Sequence, residues 1–193
     1  MKIAICYYGS PGWVPVYDNT GKLKRSVPNL ELCYSSLLKN LGLQKSDVDI
    51  FAHCWGREHE NLILNTYAPV DCVVENQIDF TSQARARLDP KIYNFTDIMR
   101  FLKEKFKIGE NFGTFEDRFR VWSRFYSQNK VVELKKAFEQ ENKFKYDLVV
   151  LLRYDLLFFA KLDLDELSNG KLHLADSHDT FRQRHNYIIS NRV

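Results

Sequence analysis

Residues 2–8 open the chain with a β-branched and aromatic run that stops at Gly9, Ser10, Pro11 and Gly12, the pattern of a buried strand entering a tight loop. After a polar excursion over residues 17–25, the apolar positions Leu30, Cys33, Tyr34, Leu37, Leu38 and Leu41 recur at helical spacing, and Gly42 supplies a stop. Residues 48–54 read as a second strand and residues 70–75 as a third, with a short helical or irregular insertion between them. Strand, helix and strand in that order predict a parallel sheet joined by right-handed crossovers.

A further helix is expected over residues 94–107, ending in a turn at 109–113. From residue 115 to about 142 the pattern is helical again. Its apolar face changes from Phe119, Trp122, Phe125 and Tyr126 to Val131, Leu134 and Phe138 across the polar Ser127, Gln128, Asn129 and Lys130. That polar stretch fits helix turns facing a solvent-filled cleft, and equally a kink or a break into two helices. Residues 146–152 form the least interrupted apolar run, which predicts a central strand covered on both faces. Its end, at Arg153, Tyr154 and Asp155, is where open α/β sheets receive ligands, because the carboxyl ends of parallel strands border a crevice. Beyond it the pattern offers a short helical turn, a strand at 171–174, a polar loop and a last strand at 187–190, with no internal repeat or low-complexity segment.

Composition narrows the classes. A chain of 193 residues, 45% hydrophobic and 27% charged, can bury one substantial core, so a single domain over residues 1–193 is the expectation. Its 28 basic and 25 acidic residues leave a net charge of +3, too little to drive binding to nucleic acid or anionic lipid. The four cysteines, Cys6, Cys33, Cys54 and Cys72, form no C-x-x-C pair and sit mostly in apolar runs, where a reduced thiol behaves as a small hydrophobe. No signal-peptide core opens the chain, and the longest apolar region is broken by Arg153 and Asp155, so no transmembrane segment and a cytoplasmic location are expected.

The chemistry-bearing residues gather at the end of the central strand. Residues two apart on a strand point the same way, so Arg153 and Asp155 are expected to project together, one meeting a phosphate and the other holding Mg2+ or Mn2+. The alternative is a structural ion pair at the edge of the core. A literal D-x-D at Asp163 and Asp165 precedes Glu166 and Leu167, where an aspartate is a natural helix cap. Asp176, His178, Asp179 and His185 form a second polar cluster suited to a metal ligand, a general base or an acceptor contact, and Asp179 is the candidate catalytic base. His53, inside an apolar strand, reads as a satisfied core histidine.

Ser123, Tyr126, Ser127, Lys130, Leu134, Lys135 and Glu139, followed by Tyr146 and Asp147 and then by Arg153, Asp155 and Phe158, carry a resemblance. They are similar to the S-Q-x-Y-S-x-x-K-x-x-x-L-K-x-x-Y-E, Y-D and R-x-D-x-x-F pattern of small glycosyltransferase-A-like enzymes of bacteria and large DNA viruses. Residues 2–5 with Gly9, Ser10 and Pro11, and residues 49–55, resemble the first two strands of the same family. The resemblance implies a Rossmann-type three-layer α/β/α fold with a mostly parallel central sheet. It implies donor binding by Gly9, Ser10 and Pro11 of the first loop, with Ser127 and Lys130 facing a nucleoside diphosphate sugar. Asp155 would take the place of the last aspartate of the fold's metal motif, and Arg153 that of the first, leaving one carboxylate. Gly12 and Arg124 also depart from the pattern, standing where relatives carry arginine and glutamine.

Two readings follow. One is a hexosyltransferase that moves a sugar from a nucleoside diphosphate sugar to a glycan acceptor with the help of Mn2+ or Mg2+. The other is a catalytically inactive nucleotide- or glycan-binding domain of a larger assembly, favoured by Gly12, by Arg153, and by a chain that stops soon after Ile188, Ile189 and Ser190, where fuller relatives continue with acceptor-binding elements. A methyltransferase is disfavoured, because the first loop lacks G-x-G spacing.

Overall fold

The computed structural model describes residues 1–12, 14–17, 20, 22–85, 115–161, 172–174 and 187–190. The chain separates into two units, residues 1–76 with 127–193, and residues 77–126.

The first unit is built on a sheet. Four strands run parallel in the order β5 (Asp71–Glu75), β4 (Val48–Trp55), β1 (Ile3–Gly9) and β6 (Leu148–Arg153). On the far side of β6 the sheet continues antiparallel through β8 (Tyr187–Ser190) to β7 (Leu172–Leu174). The chain therefore builds outward from β1 to β4 and β5, then returns to lay β6 on the other side of β1. That reversal makes the crevice between the carboxyl ends of β1 and β6 the topological switch point of the sheet.

Alternation along each strand feeds two cores. Ile3, Ile5 and Tyr7 of β1, Ile50, Ala52 and Cys54 of β4, and Leu148, Val150 and Leu152 of β6 pack with Leu30, Tyr34 and Leu37 of α1 (Leu30–Leu41) and with Ile63 and Tyr67 of α2 (Glu60–Tyr67). The opposite residues, Ala4, Cys6, Tyr8, Phe51 and Val149, pack with Val131 of α4 (Phe115–Glu141), and the half-buried Leu134 and Phe138 close that layer. Helices thus cover both faces of a mostly parallel sheet, the α/β architecture that the pattern predicts. Helix α1 begins where Asn29 accepts the Leu32 N–H at 3.0 Å. It ends at Gly42, whose φ of 69° lets its N–H return to Leu38 and Lys39.

A buried polar lock joins the end of α4 to the start of β6. The Glu139 carboxylate receives Lys135 at 3.1 Å, Lys145 at 3.3 Å and the Tyr146 N–H at 3.0 Å. Burial alone would raise its pKa, but the Tyr146 N–H and Lys135 outweigh burial and hold the carboxyl below its ordinary range. Next along the chain, the Asp147 carboxylate accepts the Lys2 N–H at 2.6 Å, and the Tyr146 hydroxyl donates to Asp49 at 2.7 Å.

The structure differs from the sequence reading in two places. The polar excursion after the first loop contains an antiparallel hairpin, β2 (Val14–Tyr17) with β3 (Leu23–Ser26), because two short β-forming stretches flank the turn residues. Helix α4 is continuous through its polar stretch, and Ser127 and Gln128 there are buried rather than facing a solvent-filled cleft. The expected helix over 94–107 and the helical turn after residue 162 lie outside the described residues. In the second unit, α3 (Thr81–Arg85) follows Phe80, whose ring meets Phe119 at 5.9 Å and Tyr126 at 5.6 Å, and Ser123 donates to Gln77 at 2.9 Å.

The four cysteines are free, three of them buried and Cys72 partly so. Burial pushes the Cys6 and Cys54 thiols up to about 12 and that of Cys72 to about 11, so they stay protonated and unreactive at neutral pH. Among the described residues, no helix is long and apolar enough to cross a membrane.

Candidate functional site

The strand registers set one row of side chains across the carboxyl edge of the sheet. Tyr8 of β1 lies opposite His53 of β4 on one side and opposite Arg153 of β6 on the other. Residue parity puts all three on the face covered by α4. Above this row, β1 runs into the first loop at Gly9, with Ser10 exposed and Pro11 buried.

Asp155 stands over the same edge. Arg153 holds it with both arms, Nε donating to Oδ1 at 2.9 Å and Nη2 to Oδ2, so the expected common projection of the two side chains is present as a bidentate ion pair. The pair keeps one side open to solvent, with 40% of the Arg153 side chain and 23% of the Asp155 side chain exposed. Behind it the Tyr154 ring is buried and stacks on Tyr7 at 5.3 Å. The turn is pinned from α1, where Ser36 Oγ accepts the Phe158 N–H at 3.1 Å and Asn40 donates to the Phe158 carbonyl at 2.9 Å.

The first loop touches this carboxylate. A Cβ built on Gly12 would stand 2.7 Å from Asp155 Oδ2 and 3.1 Å from its Cβ, and Gly12 has a φ of 82°. Any side chain there must displace Asp155 and adopt strained backbone. Glycine at position 12 therefore leaves room for the Asp155 carboxylate beside the first loop.

Helix α4 holds the loop from beneath. The Gly9 N–H donates to Ser127 Oγ at 2.7 Å, Ser127 Oγ lies 2.6 Å from His53 Nδ1, and His53 Nε2 lies 2.9 Å from Glu75 Oε1. Glu75 is steadied in turn by its carbonyl, which accepts the Gly56 N–H at 2.8 Å. Burial lowers the His53 pKa and outweighs the raising effect of its hydrogen bond to Glu75. Serine, histidine and carboxylate in this order match the atoms of an acyl-transfer triad. The serine oxygen, however, is fully buried and accepts the Gly9 N–H, so it is sealed away from any substrate carbonyl.

Lys130 lies one turn beyond Ser127 on α4, 38% exposed, with its ammonium 3.6 Å from Glu133. It is near enough to His53 to weigh against a positive charge on that ring. Of the residues expected to bind donor, the structure brings Gly9, Ser10, Pro11, Lys130 and Arg153 to the carboxyl edge together with Asp155; Ser127, expected to face the nucleoside diphosphate sugar, is instead fully buried against Gly9 and His53, and Asp179, Asp176, His178, His185, Asp163 and Asp165 lie outside the described residues. Missing from the sequence reading was the partnership of His53, Ser127 and Glu75. Its signal was a serine four residues before Val131, on the apolar face of the helix.

Among the described residues no group of three or more His, Cys, Asp or Glu side chains is placed to hold a metal ion, and the Asp155 carboxylate is already neutralised by a guanidinium across both oxygens. A hollow of about 580 Å3 lies at the opposite edge of the sheet, lined by Lys2, Ser46, Asp47, Asp49 and Phe138 among others. It has none of the residues expected to bind donor. Comparison with family models, with curated proteins and with solved structures gave no match to this chain.

Proposed function

We propose that this chain is a glycosyltransferase that takes a sugar from a nucleoside diphosphate sugar and passes it to a glycan acceptor, with the diphosphate received between the carboxyl ends of β1 and β6. The observation that carries the reading is the meeting of the first loop with Asp155 at Gly12, over the switch point of the sheet. The sequence resemblance supplies the reaction class, and the geometry supplies groups suited to it. Breaking the bond between sugar and diphosphate develops negative charge on the leaving group, and fixed cations aimed at that charge lower the barrier. Arg153 offers a planar fork already oriented by Asp155, and Lys130 offers a half-exposed ammonium on the neighbouring helix.

Asp155, the expected metal ligand, is engaged by Arg153. The same pairing favours the second reading, a nucleotide- or glycan-binding domain without turnover. The two separate on release of free nucleoside diphosphate from a panel of nucleotide sugars, measured with Mn2+ and with Mg2+. The transferase reading predicts turnover in the wild type, with at least a tenfold loss in Arg153→Ala and in Asp155→Ala while both variants unfold near the wild-type temperature. Binding of donor without release from any member of the panel would favour the binding domain.

A further inference from the structure

The four groups beneath the first loop permit a proton assignment. The Glu75 carboxylate only accepts, so His53 Nε2 carries hydrogen toward it. A neutral ring then accepts through Nδ1. Ser127 gives its hydroxyl hydrogen to that nitrogen, and its oxygen is left to accept the Gly9 N–H. A charged ring would make Nδ1 a donor, and the serine hydrogen would lose its acceptor within the chain of four.

We propose that His53 is a positioning residue for the donor loop: by accepting at Nδ1 it orients the Ser127 hydroxyl, so that the serine oxygen holds the Gly9 N–H and fixes the loop that receives the diphosphate. This rests on the donor-site reading above and extends it to residues that touch no substrate. His53 and Ser127 are fully buried, so their effect reaches a ligand only through Gly9 and through helix α4. The Gly9 N–H points to protein and is not a phosphate contact. The same serine ties the loop to the helix that bears Lys130, so the loop and one candidate cation are set by one network.

Among the described residues, charged groups facing the ring include Glu75 from β5 and Lys130 from α4, with Arg153 beyond Tyr8 in the same row. Burial lowers the pKa of the ring from the ordinary histidine value, which favours its neutral form. The orientation of the Ser127 hydroxyl is therefore favoured at neutral pH and is lost as the pH falls through that lowered value, which loosens the hold on Gly9 without removing it, since the serine oxygen can still accept.

Two substitutions at His53 separate positioning from simple space-filling. Asparagine places its side-chain amide near the former Nδ1 and retains an acceptor for Ser127; glutamine reaches toward the former Nε2 and leaves Ser127 without one. Exchange of the Gly9 amide, followed by NMR, is expected to be about tenfold faster in His53→Gln and in Ser127→Ala and close to wild type in His53→Asn. Affinity for UDP, GDP, ADP and CDP, each tested alone by calorimetry, should identify at least one that binds. That affinity should fall about tenfold in the first two variants and stay within about threefold in the third. Wild-type exchange of Gly9, corrected for intrinsic rates, should accelerate on acidification, and that of His53→Asn should not, which keeps the test open if a variant folds poorly. Equal Gly9 exchange in His53→Asn and His53→Gln, or an unchanged rate in Ser127→Ala, would overturn the positioning role. Exchange rates that follow the expected order while none of the four nucleotides binds would leave the network standing and overturn its assignment to a donor loop.

Discussion

Glu139 illustrates how one buried carboxylate decides which of its neighbours matter. Lys135 reaches it from inside the core, with only 1% of its side chain exposed, while Lys145 reaches it from solvent at 74% exposure. Removing the buried partner leaves a charge with less compensation in a low-dielectric setting, and removing the exposed one exchanges protein for water. Lys135→Met is therefore expected to lower the unfolding free energy by about 3 kcal/mol, and Lys145→Ala by no more than about 0.5 kcal/mol, both read from urea denaturation. Equal losses would mean that the burial of Lys135 has no energetic consequence. These residues also bear on what the sequence resemblance contains. Lys135, Glu139, Tyr146 and Asp147, all part of the quoted pattern, bond to one another or to Asp49 and Lys2. Much of the pattern is thus structural, and Ser127, Lys130, Arg153 and Asp155 are the part of it that lies at the carboxyl edge.

Helices and strands were legible wherever one physical signal dominated. Helix α1 carries six buried residues at helical spacing between an asparagine cap and a glycine stop, so its limits could be read to within a residue. Loss of the cap in Asn29→Ala is expected to cost about 1 kcal/mol. Forcing a side chain into the left-handed turn in Gly42→Ala should cost roughly 1–2 kcal/mol, each seen as a lower urea midpoint at unchanged slope. A midpoint unmoved by Gly42→Ala would show that the turn relaxes at no cost. Strand β6 was legible because burial on both faces leaves a continuous apolar run. The hairpin of β2 and β3 was not, because a proline, two lysines and an arginine hide its pairing in a polar stretch. Helix α4 failed differently. Its polar break resembled a cleft-facing turn, whereas Ser127 is buried to satisfy His53 from a strand distant in sequence. Only the fold brings the two together, and no local periodicity encodes that.

In the unit that carries the sheet, strand order does the organising. Placing β6 beside β1, after the chain has already built β4 and β5 on the other side, puts the first loop and the Arg153 and Asp155 pair at one edge. The sequence pattern predicted the parallel strands and led to the expectation of a ligand at that edge. It left open whether Arg153 would pair with Asp155 or leave it to a metal, since ion pairing and metal binding draw on the same residue types, and the structure shows the pair. The pattern could not foresee the hollow near Lys2 and Asp49 at the opposite edge, which offers a competing place for a ligand. The most direct test of the donor-site reading is a hydrogen-exchange footprint of the wild-type chain with a saturating nucleoside diphosphate. Slowed exchange confined to residues 9–12, 127–130 and 153–156 is the predicted result; slowed exchange around residues 1–3 and 46–49, or no change anywhere, would contradict it.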